Sequence, residues 1–98
     1  MTTYIAGPMS GIPEFNYPLF AAVAKELRAN GVDVVSPHEL HNGDTSQPYT
    51  YYLRRDLKAL LECDDMVLLP GWRNSKGAKL EARIAVALDI TMIEWRPE

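Results

Sequence analysis

The chain has 98 residues, of which 47% are hydrophobic and 23% are charged, and thirteen acidic against ten basic side chains give a net charge of −3. This balance is typical of a single globular domain and excludes a disordered tail. The excess of acid disfavours a protein that holds duplex nucleic acid by its phosphates. No apolar run approaches the roughly 20 residues that a membrane-spanning helix needs.

Short β-prone runs alternate with amphipathic stretches along the chain. The runs predicted as strands are residues 3–6, 32–35, 66–69 and 90–93. Three helices are predicted between them: one from the cap at Asn16 to the stop at Gly31, one carrying Leu53 to Leu61, and one from about Gly77 to Asp89. Residues 37–49 are predicted to be a polar loop.

This order predicts an α/β fold: a small doubly wound parallel sheet of the flavodoxin or Rossmann-like type, with four strands in the order 2-1-3-4 and three helices on its two faces. Such sheets bind ligands beyond the carboxyl ends of the strands, where the strand order reverses. The reversal falls between the first and third strands, so the loops Gly7–Phe15 and Pro70–Lys76 are predicted to form the ligand site.

Several features that are missing from the sequence predict the compartment of the protein and its lack of cofactors. One cysteine, Cys63, excludes a disulfide framework. The start of the chain, Met1 to Tyr4, lacks the basic segment and apolar stretch of a signal peptide. His38 and His41 are close in sequence, but no second cluster completes a metal site. We therefore expect a cytoplasmic protein, one domain over residues 1–98, with no metal, no cofactor and no membrane partner.

Two carboxylates break the amphipathic pattern of the second and third helices. At about 100° per residue, Glu81 falls opposite the solvent stripe of its helix, and Asp56 points away from the polar side of its own. Taken by itself, the position of Glu81 is explained by an ion pair at the rim of the helix. The position of Asp56, taken by itself, is explained by a hydrogen bond from a backbone amide. Two such carboxyl groups beside one strand favour glycosyl transfer, because enzymes that catalyse this reaction generally use a pair of carboxyl groups. One attacks the anomeric carbon while ionised, and the other, with a raised pKa, protonates the leaving group.

The two ligand loops carry glycines and hydroxyls. The run from Gly7 to Gly11 can present backbone N–H groups to a phosphate or sugar oxygen, although it contains no Lys or Arg. Ser75, just before the third helix, is by default an N-cap. Trp72 has two interpretations of equal weight: its indole stacks on a nucleobase, or it closes a contact between subunits.

Four motifs occur in order over essentially the whole chain: Tyr4 to Gly11, then Arg55-Asp56-Leu57, then Asp65 before a strand, and Ser75-x-Gly77-x-x-x-Glu81. Together they resemble the nucleoside 2-deoxyribosyltransferase superfamily. Within it, the chain is similar to a short bacterial and phage branch and to deoxynucleoside 5′-monophosphate N-glycosidase. The resemblance implies cleavage or transfer of the N-glycosidic bond of a 2′-deoxynucleoside or its 5′-monophosphate.

The resemblance also implies a role for individual residues. Glu81 is expected to attack C1′ and form a covalent glycosyl-enzyme. Asp56 is expected to protonate the departing base or hold the sugar, and Tyr4 to orient Glu81. The residues expected to bind the nucleoside or nucleotide are Gly7, Met9, Ser10, Gly11, Trp72, Ser75, Lys76 and Gly77.

Two further expectations concern turnover and assembly. Lys79 and Ala82 stand where relatives have glycines, and Met9-Ser10-Gly11 replaces a stretch with arginine in nucleotide hydrolases. Relatives also have a further segment after the fourth strand, which contributes an asparagine to a neighbouring subunit's site, and we expect nothing in this chain to replace it. Such a truncated site suits hydrolysis better than transfer between bases, which requires water to be excluded. The alternative is a non-catalytic module that binds or sequesters a nucleotide. Because so small a domain buries a modest share of its surface, we expect a homodimer or larger homo-oligomer.

Overall fold

The computed structural model describes residues 1–41 and 46–96 and confirms the α/β fold. Four parallel strands form one sheet in the order β2-β1-β3-β4, as predicted. The strands are β1 (Thr2–Ala6), β2 (Asp33–Val35), β3 (Asp65–Leu68) and β4 (Thr91–Glu94). In the register of the sheet, Tyr4 of β1 lies opposite Val35 on one side and Met66 on the other. The carboxyl ends of the parallel strands lie at the same edge, where the loops predicted to form the ligand site begin.

The helices number four within the described ranges, where the sequence predicts three. They are α1 (Tyr17–Ala29), α2 (Pro37–His41), α3 (Tyr49–Leu60) and α4 (Lys76–Ala87). The extra helix, α2, forms inside the predicted polar loop, so that part of the loop prediction is wrong. Pro37 suits a first helical turn because its φ is already fixed, and the Glu39 and Leu40 amides bond to the Ser36 carbonyl. Residues 42–45 of the predicted loop lie outside the described residues.

Two short 3₁₀ turns complete the elements, Pro13–Asn16 and Trp72–Asn74. They lie in the two loops that follow β1 and β3. None of the helices in the described part of the chain is long and apolar enough to cross a membrane.

Side chains of β1 alternate between two packed layers, because successive residues of a strand face opposite sides of the sheet. Tyr4 faces α3 and α4, and Ile5 faces α1. The layer beside α3 and α4 is built from Tyr4, Ala6, Leu60, Cys63, Met66, Leu68, Ala82 and Ala85. The layer beside α1 is built from Ile5, Phe20, Val23, Ala24, Val67 and Leu69. Helices therefore cover both faces, as predicted.

The loops after β1 and β3 lie against each other at the carboxyl edge of the sheet. A Cβ on Gly7 would lie 2.7 Å from the Cβ of Leu69, so a larger residue at this position would force the two segments apart. A Cβ on Gly71 would lie 3.4 Å from Pro8 Cγ. The two segments predicted to form the ligand site are thus in direct contact.

Candidate active site

A buried hydrogen bond joins the sheet to α4. Tyr4 lies in the middle of β1 and is fully buried, and Glu81 of α4 is 5% exposed. The Tyr4 hydroxyl donates to Glu81 Oε2 at 2.5 Å. The core-facing orientation that helical periodicity predicts for Glu81 is confirmed. The alternative, a glutamate at the rim of the helix, is wrong because the partner is a buried phenol rather than a surface cation.

Burial raises the pKa of Glu81 to about 8. The hydrogen bond from Tyr4 opposes this shift and the negative charge of Asp56 adds to it. Burial, followed by the charges of Glu81 and Asp56, raises the pKa of Tyr4 well above its usual value. Tyr4 is therefore a neutral donor, and Glu81 carries a proton in most molecules at neutral pH. This differs from the expectation that the attacking carboxyl group stays ionised.

Asp56 of α3 is the second carboxylate of the site. Its side chain is 16% exposed, and its Oδ1 lies 2.7 Å from Nε2 of His41, whose side chain is 4% exposed. Burial raises the pKa of Asp56, while the adjacent His41 lowers it by a smaller amount. The charge of Asp56 acts on both Tyr4 and Glu81, so these groups form one electrostatic cluster. The partner that the structure describes for Asp56 is thus the His41 ring rather than a backbone amide.

His41 is the residue of this cluster that sequence reasoning missed. Nothing in the pattern of α2 distinguishes it, and its spacing from His38 suggests only a metal site. Among the residues that the structure describes, no group of three His, Cys, Asp or Glu is placed to hold a metal ion. One signal was available, because the segment after β2 begins at the same carboxyl edge as the loops of β1 and β3.

The loop after β1 contributes mainly backbone groups, rather than side chains, to the candidate site. Ser10 and Gly11 are exposed, and Gly11 adopts a φ of +79° with open space where a Cβ would lie. Met9 packs against the apolar layer beside α1, on the opposite face of the sheet from Glu81. The Asn16 side chain donates from Nδ2 to the Pro8 carbonyl at 3.0 Å, which fastens the loop to the start of α1.

The loop after β3 leads into the N-terminus of α4. Ser75 is the N-cap, since its hydroxyl accepts a hydrogen bond from the Ala78 amide at 3.2 Å. The first amides of the helix, at Lys76 and Gly77, have no acceptor within the helix, and the positive end of the helix dipole lies there. A Cβ on Gly77 would lie 3.1 Å from the Tyr49 hydroxyl, so the starts of α3 and α4 are adjacent.

Trp72 lies in this loop, and several contacts hold its side chain in place. Its ring packs against the core layer that contains Tyr4, and its Nε1 donates to Glu94 Oε1 at 3.1 Å. The Arg73 guanidinium lies 4.6 Å from the centre of the indole and 3.0 Å from Glu94. These contacts fix the position of the indole at the carboxyl ends of β3 and β4.

Comparisons with known proteins place the chain in a family and a fold. The sequence model of the family described as Domain of unknown function (DUF4406) matches residues 1–94. A search of curated proteins finds no significant match.

Two of the solved structures that resemble this one are described as 2-deoxyribosyltransferases. The first is a 2-deoxyribosyltransferase from Bacillus psychrosaccharolyticus, with a TM-score of 0.75 and 17% identity over 96% of this chain and 71% of that one. The second is a 2-deoxyribosyltransferase from Leishmania mexicana, with a TM-score of 0.74 and 17% identity over 96% and 63% of the two chains. At this identity the likeness shows the fold. The chain therefore belongs to the DUF4406 family and has the fold of the 2-deoxyribosyltransferases.

Proposed function

We propose that this protein cleaves the N-glycosidic bond of a 2′-deoxynucleoside or its 5′-monophosphate, with Glu81 as nucleophile. The observation that carries the proposal is the buried Tyr4–Glu81 hydrogen bond beside the carboxyl group of Asp56. The fold adds support, because the similar structures are named as 2-deoxyribosyltransferases. Two carboxyl groups in one cluster are what such a displacement requires.

In the first step, the ionised carboxylate of Glu81 attacks C1′ of the sugar. The bond between C1′ and the base nitrogen breaks, and its electron pair goes to that nitrogen. The protonated carboxyl group of Asp56 gives its proton to the departing base. The products are the free base, a glycosyl ester on Glu81 and an ionised Asp56.

In the second step, water attacks C1′ and the ester bond to Glu81 breaks. The electron pair of that bond returns to the Glu81 carboxylate, and Asp56 takes the proton that the water loses. The free sugar leaves, and both carboxyl groups regain their starting forms. A second base that replaces water in this step would receive the sugar, so the same ester serves either hydrolysis or transfer.

The raised pKa of Glu81 has a consequence for the rate. With a pKa of about 8, roughly a tenth of the free protein carries the ionised nucleophile at pH 7. The Tyr4 hydroxyl favours the ionised form, and so does positive charge that develops on the sugar. Because the reactive form carries its single proton on Asp56 rather than on Glu81, we expect kcat/KM to fall as the pH rises above about 8, where the free enzyme loses that proton.

The N-terminus of α4 supports binding of an anionic or sugar oxygen. The free amides at Lys76 and Gly77 and the helix dipole favour negative charge at this point. The loop after β1 lacks Lys and Arg, so a phosphate would depend mainly on α4. For this reason both nucleosides and nucleotides belong in the test.

The direct test incubates the protein with the four 2′-deoxynucleosides and their 5′-monophosphates and measures free base by chromatography. We expect release by the wild type and a loss of a factor on the order of 10³ or more for Glu81→Gln. Arg83→Gln, an exposed change on the same helix, is the matched control and keeps full activity. Absence of release from every substrate, or equal release by Glu81→Gln, contradicts the proposal.

A second candidate is a module that binds a nucleotide without turning it over. The observation that favours it is the proton that Glu81 holds at neutral pH, because a protonated carboxyl group is a poor nucleophile. In that case the nucleotide is recovered unchanged, while the melting temperature rises with its concentration.

A further inference from the structure

His41 and Asp56 form a second buried polar pair, next to the Tyr4–Glu81 pair. The distance from Nε2 to Oδ1 is 2.7 Å, and both side chains are largely shielded from water. The pair joins α2 to α3, so an element that the sequence does not predict reaches the candidate site. In the proposed reaction Asp56 donates a proton to the leaving base, whereas His41 has no role.

The surroundings of the imidazole indicate where its proton lies. Nδ1 of His41 is buried and has no hydrogen-bond partner among the described residues. A proton on Nδ1 would therefore be a buried, unpaired donor, which is costly. A neutral ring with its proton on Nε2 instead donates to Oδ1 of Asp56. The edge of the Tyr52 ring packs against the imidazole, with the two ring centres 4.8 Å apart and the planes at 82°.

We propose that His41 is a positioning residue for Asp56, a role that rests on the proposed function. Its Nε2–H group occupies Oδ1 of the carboxyl group and holds it in one orientation. Oδ2 is then the oxygen that carries the proton, gives it to the leaving base and later takes one from water. His41 exchanges no proton with the substrate. Hydrogen-bond partners that orient metal ligands typically contribute a factor of about 10–100, and we expect an effect of this size here.

The test compares leaving groups that differ in their need for a proton. A nucleobase leaves as a neutral molecule only if it is protonated, whereas 4-nitrophenolate leaves readily as an anion. We expect His41→Phe, which keeps a ring against Tyr52 but loses the donor, to lower kcat/KM for a deoxynucleoside by about 10–100-fold. For 4-nitrophenyl 2-deoxyriboside the loss should be less than about 3-fold, because Asp56 matters little there.

Two further variants separate positioning from packing. His41→Gln can place an amide N–H near the position of Nε2, and we expect it to recover most of the lost rate. Tyr52→Leu removes the ring contact but keeps the hydrogen bond, and we expect no difference between the two leaving groups. In an Asp56→Asn background, His41→Phe should cause no further loss, because the two residues act as one unit.

The outcomes distinguish this inference from the function on which it rests. If the wild type is active and Glu81→Gln is not, but His41→Phe slows both leaving groups equally, the positioning role is wrong and the proposed function survives. If the wild type acts on neither substrate, both fail. Should His41→Phe not fold, His41→Gln and His41→Asn take its place. The role is supported if His41→Asn, whose side chain is shorter, loses activity on the deoxynucleoside but not on the 4-nitrophenyl substrate while His41→Gln keeps both activities. The role is overturned if the two variants behave alike.

Discussion

The two faces of the sheet are built in different ways, although they start from adjacent residues of β1. Ile5 points toward α1 into a layer of wholly apolar side chains, including Phe20 and Val67. Tyr4 points the other way, toward α3 and α4, where the same kind of layer also encloses the carboxyl group of Glu81. The layer beside α1 is therefore built from apolar side chains, whereas the layer beside α3 and α4 packs around the carboxyl group of Glu81.

This difference shows how so small a domain can carry reactive groups. Burying a carboxyl group costs free energy unless it is protonated or hydrogen-bonded, and here Glu81 is both at neutral pH. Asp56 is bonded to His41 at the border of the same layer. Among the described residues, the apolar layer beside α1 encloses no carboxyl group. The difference between the two layers leads to three predictions, which run from the largest expected effect to the smallest.

The largest effect concerns the pH dependence of stability. Folding raises the pKa of Glu81 from 4.5 to about 8, so the native state holds a proton that the unfolded chain loses between these values. The stabilisation from the protonated carboxyl is complete below pH 4.5, is lost as the pH rises through 8, and then stays constant. Its size is on the order of a few kcal/mol. In Glu81→Gln, whose amide is neutral at every pH, this decline is absent.

Urea unfolding of both proteins between pH 5 and pH 9 measures this effect. The free energy of unfolding of Glu81→Gln should increase relative to the wild type as the pH rises. Parallel curves for the two proteins would show that Glu81 does not titrate in the buried state that we describe.

The next effect comes from Tyr4→Phe, which removes the hydroxyl that donates to Glu81. We expect kcat/KM to fall by about 10–100-fold and the free energy of unfolding to fall by about 1 kcal/mol. Because the bond from Tyr4 lowers the pKa of Glu81, its loss should also move the fall of kcat/KM above about pH 8 to higher pH. Base release measured from pH 6 to pH 10 checks both effects, and an unmoved profile contradicts them.

The smallest effect belongs to Ile5→Val, the matched change on the other face. Ile5 is fully buried in the α1 layer, so loss of one methylene should lower the free energy of unfolding by about 0.5–1.5 kcal/mol. We expect kcat/KM to stay within a factor of about two, since this residue faces away from the carboxyl groups. A loss of activity as large as that of Tyr4→Phe would mean that the two faces are coupled.

Much of the fold could be predicted because its signals are local. The period of apolar residues defines the strands and the three longer helices, and parallel connection of the strands then brings the loops after β1 and β3 together. The burial of Glu81 is visible in the same way, since helical spacing alone places it on the core side of α4. The motifs between Tyr4 and Glu81 added the resemblance that led to the proposed chemistry.

The remaining features depend on contacts between segments that are distant in sequence. The short helix α2 has too few residues to show a period, and His41 meets Asp56 only because α2 and α3 pack together. The pKa of Glu81 depends on every group that replaces water around it, including Tyr4, 77 residues earlier in the chain. By itself, the sequence determined the order of the strands and the three longer helices, and the side on which each carboxyl group lies. Only the tertiary structure decided their partners and their protonation, because hydrogen bonding and desolvation are properties of the packed site.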